Sequence, residues 1–171
     1  MGERSELVTM KGAPVTLVGH EVKAGDRAPD FTCVDKDFKP VSFSAYRGKV
    51  VVIASVPSLE TDVCATETRR FNTEAAGLGK DVVVLAISMD LPFAQKRWCA
   101  AEGVERVVTL SDYQRASFGE AYGVLIKGLR LLARAVFVVD RSGVIRLVHL
   151  VPEIANEPDY DTVLKAVRGL T

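Results

Sequence analysis

Three stretches of the chain are almost wholly apolar: Val50-Val51-Val52-Ile53-Ala54-Ser55, Val82-Val83-Val84-Leu85-Ala86-Ile87 and Ala135-Val136-Phe137-Val138-Val139. Runs rich in β-branched residues, with no polar alternation, read as strands covered on both faces. Between the first two lies a helical segment, about Val63 to Leu78. Between the second and third lie a helix from Pro92 to Glu102 and another around Ala116 to Tyr122. Shorter strands flank this centre. Val8-Thr9-Met10 and Val15-Thr16-Leu17 enclose Lys11-Gly12-Ala13-Pro14, a small hairpin. Phe31 to Val34 and Pro40 to Phe43 are joined by the turn residues Asp35-Lys36-Asp37. Asp140-Arg141-Ser142-Gly143 turns the chain into Val144 to Leu150, and a helix from Tyr160 to Arg168 ends it. Buried strands alternating with helices, then a hairpin and a last helix, predict a three-layer α/β sandwich.

That order is similar to a thioredoxin-like fold carrying an N-terminal β-hairpin extension. Its 171 residues fit one domain, 1–171, with no repeat or linker. Lys plus Arg and Asp plus Glu are 22 each, and no basic stripe stands out, which argues against nucleic acid or an anionic membrane as partner. No apolar stretch approaches the roughly 18 residues of a bilayer span. Met1 to Glu6 is polar with no apolar region behind it, so a soluble, cytoplasmic protein is expected.

The chemistry has to be sought among Cys33, Cys64 and Cys99. No Cys-x-x-Cys or His-x-x-x-His spacing occurs, so neither zinc nor any other cofactor is expected. In a reducing compartment such cysteines are either small hydrophobes or reactive thiols. Cys64 stands out by position. It follows the first buried strand and falls in the first turn of the next helix. Free N–H groups and the helix dipole favour an anion there, and crevices at strand carboxyl ends are where open α/β sheets bind ligands.

Pro57, Thr61 and Cys64 form Pro-x-x-x-Thr-x-x-Cys, which resembles the active-site motif of peroxiredoxins. The resemblance implies a cysteine that attacks a hydroperoxide, a threonine hydroxyl that bonds peroxide and thiolate, and a proline that shields the sulfur. It also implies an arginine from far along the chain, matched by Arg134 in Leu132-Ala133-Arg134-Ala135-Val136. Gly12-Ala13-Pro14-Val15-Thr16, Asp90-Leu91-Pro92-Phe93-Ala94-Gln95, Arg97-Trp98-Cys99, Leu129 to Val136, Val151-Pro152-Glu153-Ile154 and Glu157-Pro158-Asp159-Tyr160 narrow it to the bacterial thiol peroxidases, atypical two-cysteine peroxiredoxins. On that resemblance Cys99 is the resolving cysteine, closing an intrachain disulfide with the sulfenic acid of Cys64. Thioredoxin is the implied reductant and a homodimer the implied assembly. The segment from Tyr122 to Arg134 is shorter than in many members, which bears on substrate preference.

Other residues carry plainer readings. Cys33 lies on a strand with nothing to mark it as reactive. His20 and His149 invite a Cys–His hydrolase reading, but neither belongs to the matched motif. Asp35 with Asp37, and Asp159 with Asp161, read as turn and cap residues. Trp98 reads as core. Leu129 to Leu132 could be core, subunit contact or substrate approach. Two rival functions are a peroxide-sensing redox switch, which need not turn over, and a thioredoxin-like disulfide oxidoreductase, which lacks its adjacent cysteine pair.

Overall fold

The computed structural model describes residues 2–171. Its centre is β5 (Val50–Ser55), flanked by β6 (Val82–Ser88) in parallel and β9 (Ala135–Val139) in antiparallel register. With β7 (Val107–Ser111), β10 (Ile145–Leu150), β3 (Thr32–Val34) and β4 (Pro40–Ser42), these form a seven-stranded sheet in the order β10-β9-β5-β6-β7-β3-β4. Successive side chains on a strand point to opposite faces, and the two cores follow that alternation. Val50, Val52 and Ala54 of β5, Val84 and Ala86 of β6, and Val136 and Val138 of β9 line one face. Val51, Ile53, Leu85, Ile87, Ala135, Phe137 and Val139 line the other.

The first face is covered by α1 (Asp62–Ala75), α2 (Pro92–Glu102) and α4 (Tyr160–Arg168), through Phe71, Trp98, Val163 and Val167. The second is covered by α3 (Ser117–Ala121), through Phe118, and by a small sheet of β1 (Gly2–Met10), β2 (Ala13–Gly19) and β8 (Leu125–Ile126). The layers are therefore helices, central sheet, and hairpin sheet with α3, the thioredoxin-like sandwich and hairpin extension that the sequence predicts. The hairpin is longer than expected, because β1 starts at Gly2 and absorbs its polar residues in a bulged register between Arg4 and Val8.

The sequence reading needs correction between β6 and β9, where it expects helices alone. Val107–Ser111 is a sheet strand, pairing in parallel with β6. Five residues with exposed Val108 among buried neighbours give too short a run to stand out beside the long valine blocks. Leu129 to Leu132 divides, since Leu129 is exposed and Leu132 lies in the core.

Candidate active site

Helix α1 starts where the local sequence says it should. Thr61 is its N-cap, extended in backbone, and Thr61 Oγ1 accepts the N–H of Cys64 at 3.3 Å. The same hydroxyl donates to the Ser58 carbonyl at 3.1 Å. A threonine cap of this kind is worth about 1 kcal/mol, and it fixes Cys64 in the first turn. Asp62 adds a negative charge where the helix dipole favours one.

The loop before the cap is held by Asp90, just beyond β6. Its carboxylate accepts Ser58 Oγ at 2.6 Å, the N–H of Leu59 at 2.8 Å and Ser88 Oγ at 2.7 Å. Gln95 of α2 donates to the same Ser88 hydroxyl, and Arg97 of α2 pairs with Glu60 in the loop. The Asp90-Leu91-Pro92-Phe93-Ala94-Gln95 segment thus fastens the strand ends, the loop that precedes Cys64 and the helix that carries Cys99. Pro57 is buried in this loop, while Thr61 is exposed.

Arg134 reaches the site by strand register. β9 runs antiparallel to β5 with Ala135 opposite Ser55, so the residue just before β9 lies beside the end of β5 and the start of α1. Each edge of its guanidinium is occupied. Arg134 Nη2 donates to Cys64 Sγ at 3.2 Å, Nη1 to Glu67 Oε2 at 2.7 Å, and Nε to the Ile154 carbonyl at 2.8 Å. All three side chains are sealed from solvent, with Cys64 and Glu67 at 0% and Arg134 at 1% exposure. Burial works against the Arg134 charge, but the neighbouring Cys64 and Glu67 more than offset it and hold the guanidinium protonated. The site thus sets a fixed cation 3.2 Å from a sulfur that is closed off from water, where charge–charge interactions act at full strength.

Glu67 is the residue that sequence reasoning missed. A signal was present, because its position three after Cys64 and four before Phe71 puts it on the buried face of α1. Burial pushes its carboxyl up to about 7, against the pull of the Arg134 charge. The Ile154 carbonyl was missed too. Its loop is tied to the hairpin by Glu153, which accepts Gly12 N–H at 2.8 Å and Thr9 Oγ1 at 3.0 Å.

Cys99 of α2 is buried in the same helix-side cluster as Cys64, with Sγ 3.5 Å from Thr109 Oγ1. Cys33 lies on the other side of the sheet, 3.5 Å from Asp112 Oδ1. All three cysteines are free. His20 is exposed, and His149 Nε2 accepts the N–H of Asp159 at 3.1 Å, so neither stands by a cysteine as a base. Asp159 caps α4 and Asp35 closes its turn on Asp37 and Lys39, as their positions suggested. Trp98 is core. A cavity of about 660 Å³ lies at the far end of β5, between Val51, Val139 and the Asp140–Gly143 turn, away from this chemistry.

The redoxin family profile matches residues 23–164. A thiol peroxidase of Oceanobacillus iheyensis is 57% identical over 157 residues, covering 92% of this chain and 95% of that one. A thiol peroxidase of Bacillus subtilis is 53% identical over 163 residues, covering 95% and 97%. The chain belongs to the thiol peroxidases of the redoxin family. Among solved structures, a peroxiredoxin-like protein from Aquifex aeolicus superposes with a TM-score of 0.91 at 47% identity, over 97% of this chain and 98% of that one. A thiol peroxidase from Chromobacterium violaceum, at 21% identity and a TM-score of 0.83 over 95% of both chains, shares the fold. Thiol peroxidases reduce a peroxide with electrons from thiols, and the site at the end of β5 brings a thiol and a fixed cation together without water. Among the described residues no helix is long and apolar enough to cross a membrane.

Proposed function

We propose that Cys64 is the peroxidatic cysteine, Cys99 the resolving cysteine, and Arg134, Thr61 and Pro57 the residues that complete the reacting site. The observation that carries this reading is the contact of Arg134 Nη2 with Cys64 Sγ at 3.2 Å inside a fully buried site. The thiolate sulfur gives an electron pair to one peroxide oxygen, so that an S–O bond forms and the O–O bond breaks. Sulfur is oxidised by two electrons, and the departing hydroxide or alkoxide takes up a proton. Arg134 keeps N–H groups aimed at this region and stabilises charge as the O–O bond lengthens. The Thr61 hydroxyl, at the helix cap, turns toward peroxide and thiolate, and Pro57 shields the sulfur.

The sulfenic acid then condenses with the Cys99 thiol, releasing water and leaving one intrachain disulfide. A disulfide needs Cα atoms within roughly 7 Å, so the first turn of α1 and the last turns of α2 unwind to meet. Among the described residues the one hydrogen-bonding contact of the Cys99 thiol is with Thr109 Oγ1, and its position near the end of α2 keeps the rearrangement local. Thioredoxin reduces the disulfide by thiol–disulfide exchange. The substrates are hydrogen peroxide and small alkyl hydroperoxides, and the chain works as a single domain within a homodimer in the cytoplasm, without metal or cofactor.

The test is oxidation with one equivalent of hydrogen peroxide, followed by peptide mapping under non-reducing conditions, and a coupled assay with thioredoxin and its reductase. The expected product is one Cys64–Cys99 bridge within a single chain, with Cys33 free and turnover supported by thioredoxin. A bridge through Cys33, or between chains, would overturn the resolving assignment.

A further inference from the structure

Two acids share one buried cation at this site. Arg134 donates through Nη2 to Cys64 Sγ and through Nη1 to Glu67 Oε2, and no solvent reaches any of the three side chains. Glu67 Oε1 is buried without a hydrogen-bond partner. An ionised carboxylate seeks donors on both oxygens, and burying one without them is costly. A protonated carboxyl leaves a neutral O–H at that position, and burying a neutral group unpaired costs far less than burying an ionised oxygen.

The surrounding charges point the same way. Cys64 and Arg70 share α1 with Glu67; Arg134 faces it from just before β9, Tyr160 from α4, and Glu157 from the loop before α4. The Tyr160 hydroxyl donates to Glu157 Oε1 at 2.8 Å, and Arg70 lies over the Tyr160 ring. Among the described residues Arg134 is thus the only cation bonded to Glu67, and it is already engaged by sulfur.

We propose that Glu67 is a redox-linked proton site, protonated while Cys64 is a thiolate and ionised once Cys64 is oxidised. Before reaction the site holds Arg134 as cation, Cys64 as anion and Glu67 neutral. After attack on hydrogen peroxide, Cys64 is a neutral sulfenic acid, and the negative charge beside Arg134 passes to Glu67. The site keeps zero net charge in both states, which a low-dielectric interior strongly favours. The protons balance as well. The departing hydroxide takes one up to become water, and Glu67 gives one up, so none is drawn from solution overall. Condensation with Cys99 consumes a thiol and a sulfenic acid and yields a disulfide and water, with no further proton. Glu67 does not touch the peroxide, so it is a positioning and charge-compensating residue. Burial, the largest influence on its carboxyl, raises it to about 7, in keeping with this role.

The inference rests on Cys64 being the oxidised thiol, and its test separates the two ideas. Reduced protein and Glu67→Gln are mixed with one equivalent of hydrogen peroxide in weakly buffered solution slightly below neutral pH. A pH indicator counts protons, and mass spectrometry of the same samples identifies the oxidised cysteine. The wild type is expected to take up well under one proton per oxidised Cys64, and Glu67→Gln, which keeps an acceptor for Nη1 but cannot ionise, close to one. Equal counts with Cys64 oxidised would overturn the proton site and leave the peroxidatic assignment standing. Cys64 left unoxidised would overturn both. Infrared difference spectra of wild-type protein with isotope-labelled glutamate carboxyls need no variant. A protonated-carboxyl band lost on oxidation supports the inference, and its absence from the reduced protein overturns it.

Discussion

Cys64 and Cys33 are both buried thiols, at 0% and 3% exposure, and both touch an ionisable side chain. Cys64 Sγ meets Arg134 Nη2 at 3.2 Å, whereas Cys33 Sγ meets Asp112 Oδ1 at 3.5 Å. Burial drives the Cys33 thiol far above its ordinary range, and the Asp112 charge and hydrogen bond push it further the same way. Asp112 cannot move aside, because it accepts the N–H groups of Phe118 and Gly119 at 3.0 and 2.8 Å and so starts α3. Removing water does not by itself make a sulfur reactive. It amplifies whatever charge is fixed beside it, positive for Cys64 and negative for Cys33.

The broadest way to break this contrast is to remove each sulfur. Cys64→Ser is expected to abolish peroxide consumption in the coupled assay, and Cys33→Ser to leave its rate unchanged. Loss of turnover in the second variant would end the contrast. Removing the partner charges is the next test. Arg134→Gln is expected to slow the reaction of Cys64 with hydrogen peroxide by about 10²–10³-fold, the usual effect of losing one fixed transition-state donor. Asp112→Asn weakens the start of α3 but should not make Cys33 alkylate in the folded protein, since burial, the larger cause, persists.

Stability against pH gives a smaller effect with a definite sign. Folded Glu67 keeps its proton up to about pH 7, against an ordinary value of 4.5. The reduced folded state therefore binds more protons than the unfolded chain between those values, and its contribution to stability is lost as pH rises through them. Glu153 behaves oppositely. The N–H groups of Ala155 and Gly12 draw it down to about 2, so its contribution is lost as pH falls below 4.5. Urea midpoints should fall more steeply from pH 4.5 to 7 in wild type than in Glu67→Gln, which keeps only the same-signed contribution of buried Asp112. Thr61→Val should cost about 1 kcal/mol in the same measurement, through loss of the α1 cap, with Thr61→Ser retaining it.

The smallest expected signal comes from Trp98, buried at 6% exposure next to Cys99. If α2 unwinds to form the disulfide, tryptophan fluorescence changes on adding peroxide and recovers with a small dithiol. Cys99→Ser should lose most of that slower change while its Cys64 sulfenic acid persists, and proceeds to sulfinic acid in excess peroxide. Identical signals from both proteins would point to a cycle without Cys99.

The legible parts of the protein are those set within a few residues. Three valine-rich blocks are β5, β6 and β9, and α2 and α4 fall at Pro92–Glu102 and Tyr160–Arg168 as the pattern predicts. Each signal is local: a run long enough to bury both faces, a proline at a first turn, an aspartate at a cap. Val107–Ser111 was not legible because its place in the sheet depends on pairing with β6 rather than on its own five residues.

The same division runs through the site. Sequence by itself determined that Cys64 stands in the first turn of a helix after a buried strand, because a Thr61 cap acts over three residues. It singled out Arg134 only through resemblance, since nothing local ties that residue to a sulfur seventy positions away. Tertiary structure decided the rest. Antiparallel register sets Ala135 against Ser55, which delivers the Arg134 guanidinium to Cys64 and to Glu67. Charge at this depth acts through distance and exclusion of water, and both belong to the folded chain rather than to any stretch of it.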